Sequence, residues 1–149
     1  MIRAIRSGAQ TGADIAGLDA GLALGLEVGG MVPKGRRTDA GPLTDEQMAH
    51  YNLEESTSAA YPPRTEFNVL NSGATVLFGN MSSPGCRLTL SCCRKHNRPH
   101  IINPTAEELR DFCTRNEVHT LNIAGNRERT NPGIYQRTFD TLVKAFSGR

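Results

Sequence analysis

Short apolar runs of strand length alternate with stretches of helical periodicity along the whole chain, and that alternation restricts the fold more than any other feature. "IRAIRS" (2–7) leads into "DIAGLDAGLALGL" (14–26), where Ile15, Leu18, Leu22 and Leu26 recur at three- and four-residue steps and predict one apolar helix face. "VGGMV" (28–32) reads as a second strand and "ATVLFG" (74–79) as the clearest one, with "HIIN" (100–103) and "TLNIAG" (120–125) after it. Helices are predicted over 64–73, within 82–99 and ending before Pro99, over 105–116 behind a Thr105 cap, and at the end of the chain from Pro132. Parallel strands need long crossovers, and helices supply them. The expectation is an α/β fold in a single domain, 1–149, with a doubly wound sheet of about five mainly parallel strands flanked by helices.

One segment breaks the alternation. Residues 33–63 exceed a normal connection, which marks a functional loop or lid. Within it "TDEQMAHY" predicts a short helix, with Thr44 as cap and Gln47 three residues on. The remaining bounds are mostly exclusions. No apolar run reaches the roughly 18 residues of a membrane span, and "MIRAIRSGAQ" lacks a leader-like stretch, so a cytoplasmic protein is expected. Cys86, Cys92, Cys93 and Cys113 form no CxxC pair and read as reduced, buried thiols. The four histidines form no HExxH, so no metal site is expected. A net charge of +2, eight Phe and Tyr residues and no Trp argue against nucleic acid.

In a doubly wound sheet the ligand lies beyond the carboxyl ends of the strands. The loops that fall there are 7–13, 33–41, 80–86 and 125–133, and all are rich in Gly, Ser, Thr, Asn or Arg. "SGAQTGAD" carries Gly8 and Gly12, which permit close approach, and helix amides follow them. "VPKGRR", "SSPGCR" and "NIAGNRER" add cationic side chains, hydroxyls and a second helix start. Neither GxxxxGK[ST] nor GxGxxG is present. Tight turns, capped helix starts and solvated charge account for each loop taken singly; their coincidence on one edge points to a small anionic ligand. No nucleophile elbow or His-paired cysteine is evident, so a binding protein explains these residues better than an enzyme does.

The motifs "SGAQTGADIAGLDAGLALG", "GGMVPKGRRTDAGPL", "YPPRTEFNVLNSGATVLF", "LTL…RKHNRP" and "LNIAGNRERTNPGIY" together resemble the family called putative molybdenum carriers. That family belongs to the SLOG superfamily, with the lonely-guy-type phosphoribohydrolases. The resemblance implies a Rossmann-like fold, a homo-oligomer (dimer or tetramer), and binding of the molybdenum cofactor (molybdopterin) or molybdate without catalysis. By motif match it implies a site of Gly8, Gln10, Thr11, Gly12 and Asp14 from the first loop, and Lys34, Gly35 and Arg36 from the second. Arg64, Thr65 and Asn68 precede the strand at 74, Gly85 and Thr89 open the next helix, and Gly125, Arg127 and Glu128 follow the last strand.

Two departures from the family pattern stand out. Pro84-Gly85-Cys86 replaces a Gly-Gly-Thr, and Ser91 stands where relatives carry a glutamate, the catalytic one in the lonely-guy enzymes. "TDEQMAHYNLEE" lengthens the second loop. The readings left beside the carrier are a binder or sensor of a nucleotide or ADP-ribose-type ligand, and a weak nucleotide phosphoribohydrolase.

Overall fold

The computed structural model describes residues 1–148. Six strands, β1 (Ala4–Ser7), β2 (Glu27–Val32), β3 (Leu53–Glu55), β4 (Ala74–Phe78), β5 (His100–Ile102) and β6 (Thr120–Gly125), form one sheet in the order β3-β2-β1-β6-β4-β5. Every pairing is parallel, so the expected class holds with one more strand than foreseen. The addition is β3, a three-residue edge strand whose two glutamates face solvent, which is how an edge resists further pairing. It is too short to show a period. β4 is buried at all five positions, as a strand covered on both faces must be.

Six helices supply the crossovers: α1 (Ala13–Ala23), α2 (Asp45–His50), α3 (Tyr61–Leu70), α4 (Pro84–Lys95), α5 (Ala106–Arg115) and α6 (Ile134–Phe146). On one face α6 packs against both α1 and α5, over a core built on Ile5, Leu121, Ile123, Leu109 and Leu142. On the other face α3 packs against α4, with smaller apolar clusters around Val69 and Cys93 and around Leu77 and Leu90. All four cysteines are buried and no disulfide forms among the described residues. Among those residues no helix is long and apolar enough to cross a membrane.

Three local expectations needed correction. The buried stripe of α1 includes the predicted Leu18, but Ala13, Ala16, Gly17 and Ala20 make most of it, and Leu22 is exposed. Small residues let this helix lie close to the sheet: a Cβ on Gly17 would sit 2.7 Å from the Ile123 side chain. Helix α3 begins at Tyr61 rather than 64, with Pro62 and Pro63 in its first turn. Proline is tolerated there because its missing N–H would have no helical partner. Helix α6 begins at Ile134 rather than Pro132, behind Gly133 in the left-handed region. The short helix predicted inside 33–63 is present, closed by the Thr44–Gln47 capping box.

Candidate functional site

β6 and β4 are neighbours in the sheet, but the chain leaving β4 goes to the α3–α4 face and the chain leaving β6 goes to the α1–α6 face. Diverging connections open a crevice at the carboxyl ends of such strands. A cavity of about 540 Å³ lies there. Asn122 to Gly125 of β6 line it, α3 contributes Tyr61, Arg64 and Thr65, and the start of α4 contributes Ser83 to Gly85. Gly8, Gln10 and Asp14 line it from the β1–α1 loop, and Arg127 and Arg129 from the loop after β6.

The β1–α1 loop is fixed by its own polar side chains. The Ser7 hydroxyl donates to the Asp14 carbonyl at 2.8 Å and accepts the Ala9 amide at 3.2 Å. Gly12, at φ 85°, lies so close to the loop after β6 that a Cβ would stand 2.4 Å from the Asn126 carbonyl oxygen. The Ala13 amide donates to that same oxygen at 3.1 Å. Gly8 has a different task. Arg64 lies across it, and a Cβ there would fall 1.4 Å from a terminal guanidinium nitrogen. Gly12 therefore joins two loops, and Gly8 makes room for a cation.

Arg64 reaches Asp14 at 3.6 Å and sits 5.1 Å from the centre of the Tyr61 ring. Its Nε is buried with no hydrogen-bond partner. Burial raises the Asp14 carboxyl above its ordinary value, against the pull of the Arg64 charge and the Gln10 amide. On the rim Asp39 holds Arg127 at 2.8 Å and Arg129 at 3.3 Å, and the Asp39 amide donates to Gln10 Oε1 at 2.9 Å. The buried Asn126 amide donates to the Asn80 carbonyl and the Ser83 hydroxyl, both at 3.1 Å, and so ties the loop after β6 to the one after β4. Ser83 caps α4 by accepting the Cys86 amide at 3.4 Å. Helix geometry leaves the Gly85 amide without an internal acceptor beside the cavity. Guanidinium groups and helix amides at one mouth are a setting for an oxyanion.

The profile of the circularly permutated YpsA SLOG family matches residues 5–146. The chain belongs to that family. A crystal structure from Syntrophus aciditrophicus SB, titled "Putative molybdenum carrier protein", is similar to it at 32% identity with a TM-score of 0.86. The similarity covers 99% of this chain and 96% of that one. No curated protein matches.

For this SLOG chain the structure brings together most of the residues that the motifs single out. Gly8, Gln10 and Asp14 line the cavity, as do Arg64, Thr65 and Asn68 from α3. Gly85 and Thr89 of α4, and Gly125 and Arg127, complete the set. Asn68 has its amide engaged, since it accepts from Met31 N–H at 2.8 Å and donates to Met31 C=O at 3.1 Å.

Thr11, Gly12, Lys34, Gly35, Arg36 and Glu128 lie outside this wall. The reasons are local. Arg36 pairs with Glu55 at 2.9 Å and Asp45 at 2.6 Å, and the Gly35 amide donates to Glu55 at 2.9 Å. Together they bind the loop after β2 to β3 and α2. The Lys34 amide donates to the Ser58 carbonyl at 2.9 Å, so its backbone is engaged in the same junction. Glu128 accepts the amides of Gly133 and Tyr135 at 2.7 and 3.0 Å, which makes it the cap of α6 and lowers its carboxyl below the ordinary value. Ser91 is exposed on α4, away from the wall.

Sequence reasoning missed Tyr61, Asn122, Asp39 and Arg129. Tyr61 was legible: prolines in a first helical turn would have placed 61, 64, 65 and 68 on one face. Asp39 was not, because its partners lie 88 and 90 residues away.

Proposed function

We propose that this SLOG protein binds a small anionic molecule in the cavity between β6 and α3–α4, and that the cargo is the molybdenum cofactor. The carrying observation is the Arg64 guanidinium, lodged over Gly8 in the cavity wall with its Nε unpartnered. A guanidinium in a cavity wall offers its N–H fork to a ligand's oxygens. The Gly85 amide, Arg127 and Arg129 support the same reading, as they favour the phosphate of such a cargo. The name of the relative from Syntrophus aciditrophicus SB favours molybdenum. The described residues offer no cluster of three or more His, Cys, Asp or Glu side chains for a bare ion. That is compatible with a cargo whose own dithiolene sulfurs hold the metal.

Carriage rather than turnover fits the wall chemistry. Asp14 is the one carboxylate lining the cavity, whereas glycosidic hydrolysis by the usual route needs a pair. The test is mass spectrometry and metal analysis of small molecules released from freshly purified protein. A pterin accompanied by molybdenum supports the proposal. A nucleotide without metal replaces it with the ligand-sensor reading, and turnover of a nucleoside monophosphate to base and ribose phosphate overturns both.

A further inference from the structure

The cavity has a second chemical character that an oxyanion does not use. Asp14, 7% exposed, accepts one hydrogen bond among the described residues, from the Gln10 amide at 3.4 Å, and faces the Arg64 guanidinium at 3.6 Å, both on Oδ2. Its Oδ1 has no donor there. Asn122, 3% exposed on β6, donates to the Thr75 hydroxyl at 3.2 Å and leaves its own Oδ1 without a partner. Both residues line the cavity. Buried acceptors of this kind repel phosphate and call for N–H or O–H groups from a ligand. The Arg64 guanidinium beside Asp14 is the complement, a set of N–H donors in the same wall.

Resting on the anion-carrier reading, we infer that Asp14 and Arg64 read the far end of the ligand as a row of amino group, ring N–H and carbonyl. The carboxylate takes the two neighbouring N–H groups, and the guanidinium donates to the carbonyl beside them. Guanine and pterin share that row, while adenine and a bare sugar phosphate lack it. The aromatic ring of Tyr61, in the same wall, offers a face for such a planar heterocycle. The ligand class is thus a guanine-like or pterin-like heterocycle joined to a phosphate, its phosphate toward Gly85 and Arg127.

Calorimetric titration tests this with inorganic phosphate, inosine monophosphate, guanosine monophosphate and a phosphorylated pterin. Inosine monophosphate differs from the guanosine compound only in lacking the amino group, so it is expected to bind roughly tenfold more weakly, the effect of one lost charge-assisted hydrogen bond. In Asp14→Asn, an isosteric change, the preference falls to about one, because an amide cannot accept the N–H pair with both oxygens. Equal affinity of wild-type protein for the two nucleotides, with phosphate still bound, overturns this inference alone. Failure of phosphate and of every phosphorylated compound to bind overturns the carrier reading as well. Should Asp14→Asn not fold, the wild-type ratio decides by itself. The source of the heterocycle is read from which binds tighter, the pterin or guanosine monophosphate.

Discussion

Two basic loops follow strands of the same sheet, one after β2 and one after β6, and they use their arginines in opposite ways. After β2, a single guanidinium, Arg36, is met by two carboxylates, Asp45 and Glu55. After β6, two guanidiniums, Arg127 and Arg129, share one carboxylate, Asp39. The first ratio leaves Arg36 no charge to offer and makes it a brace. The second leaves a surplus on the cavity rim and makes a docking point. A run of cations therefore says little about anion binding until the acids that reach it have been counted.

The comparison can be broken by substitution. The largest effect is expected from Arg64→Ala, which removes the cation lodged over Gly8: guanosine monophosphate affinity should fall by roughly 10- to 100-fold in calorimetric titration, the scale of charge-assisted hydrogen bonds. Arg127→Ala with Arg129→Ala should weaken phosphate binding by about tenfold and, since these pairs lie near the surface, leave Tm nearly in place. A matching fall in Tm would mean that the rim is a brace too. Asp39→Asn should do the reverse and tighten phosphate binding by roughly two- to fivefold, as the two arginines lose their internal competitor. Weaker binding in that variant would show that Asp39 positions the guanidiniums instead of occupying them. Arg36→Ala should lower Tm slightly and leave phosphate affinity alone; weakened binding there would erase the distinction between the two loops.

The smallest effect concerns pH. Burial holds the folded Asp14 carboxyl above its ordinary 3.8, so the folded state binds the proton more tightly than the unfolded one. Stability tied to this group is therefore present below pH 3.8 and is lost as pH rises from there through the raised value. Asp14→Asn should raise Tm at neutral pH, with an advantage that disappears in acid. A variant less stable than wild type at pH 7 would show that the charge at the α1 N-terminus and its Arg64 contact outweigh burial.

Much of this was legible in the chain. The run Ala74–Phe78 is apolar and β-branched enough to name itself a central strand, and Thr44 and Thr105 announce their helices by capping boxes that form as expected. The glycine-rich first loop lies at the site because a doubly wound sheet places it there. What escaped has identifiable causes. Hydrophobic periodicity found the buried Leu18 of α1, but it favours leucine over the alanines and glycines that make most of the buried stripe, and it counted the exposed Leu22. The pairing of Arg36 was not legible because the acids that meet it come 9 and 19 residues later, beyond local patterning. The capping by Glu128 was hidden too, its partners being the backbone of the next helix.

The position of β6 between β1 and β4 has a consequence for how the molecule is made. β6 follows the other five strands in the chain yet is a middle slat of the sheet, so until it inserts the two halves have raw edges at β1 and β4. The sheet cannot close strand by strand along the chain, and the cavity, lined by Asn122 to Gly125 of β6, comes into being only when that strand joins the two halves.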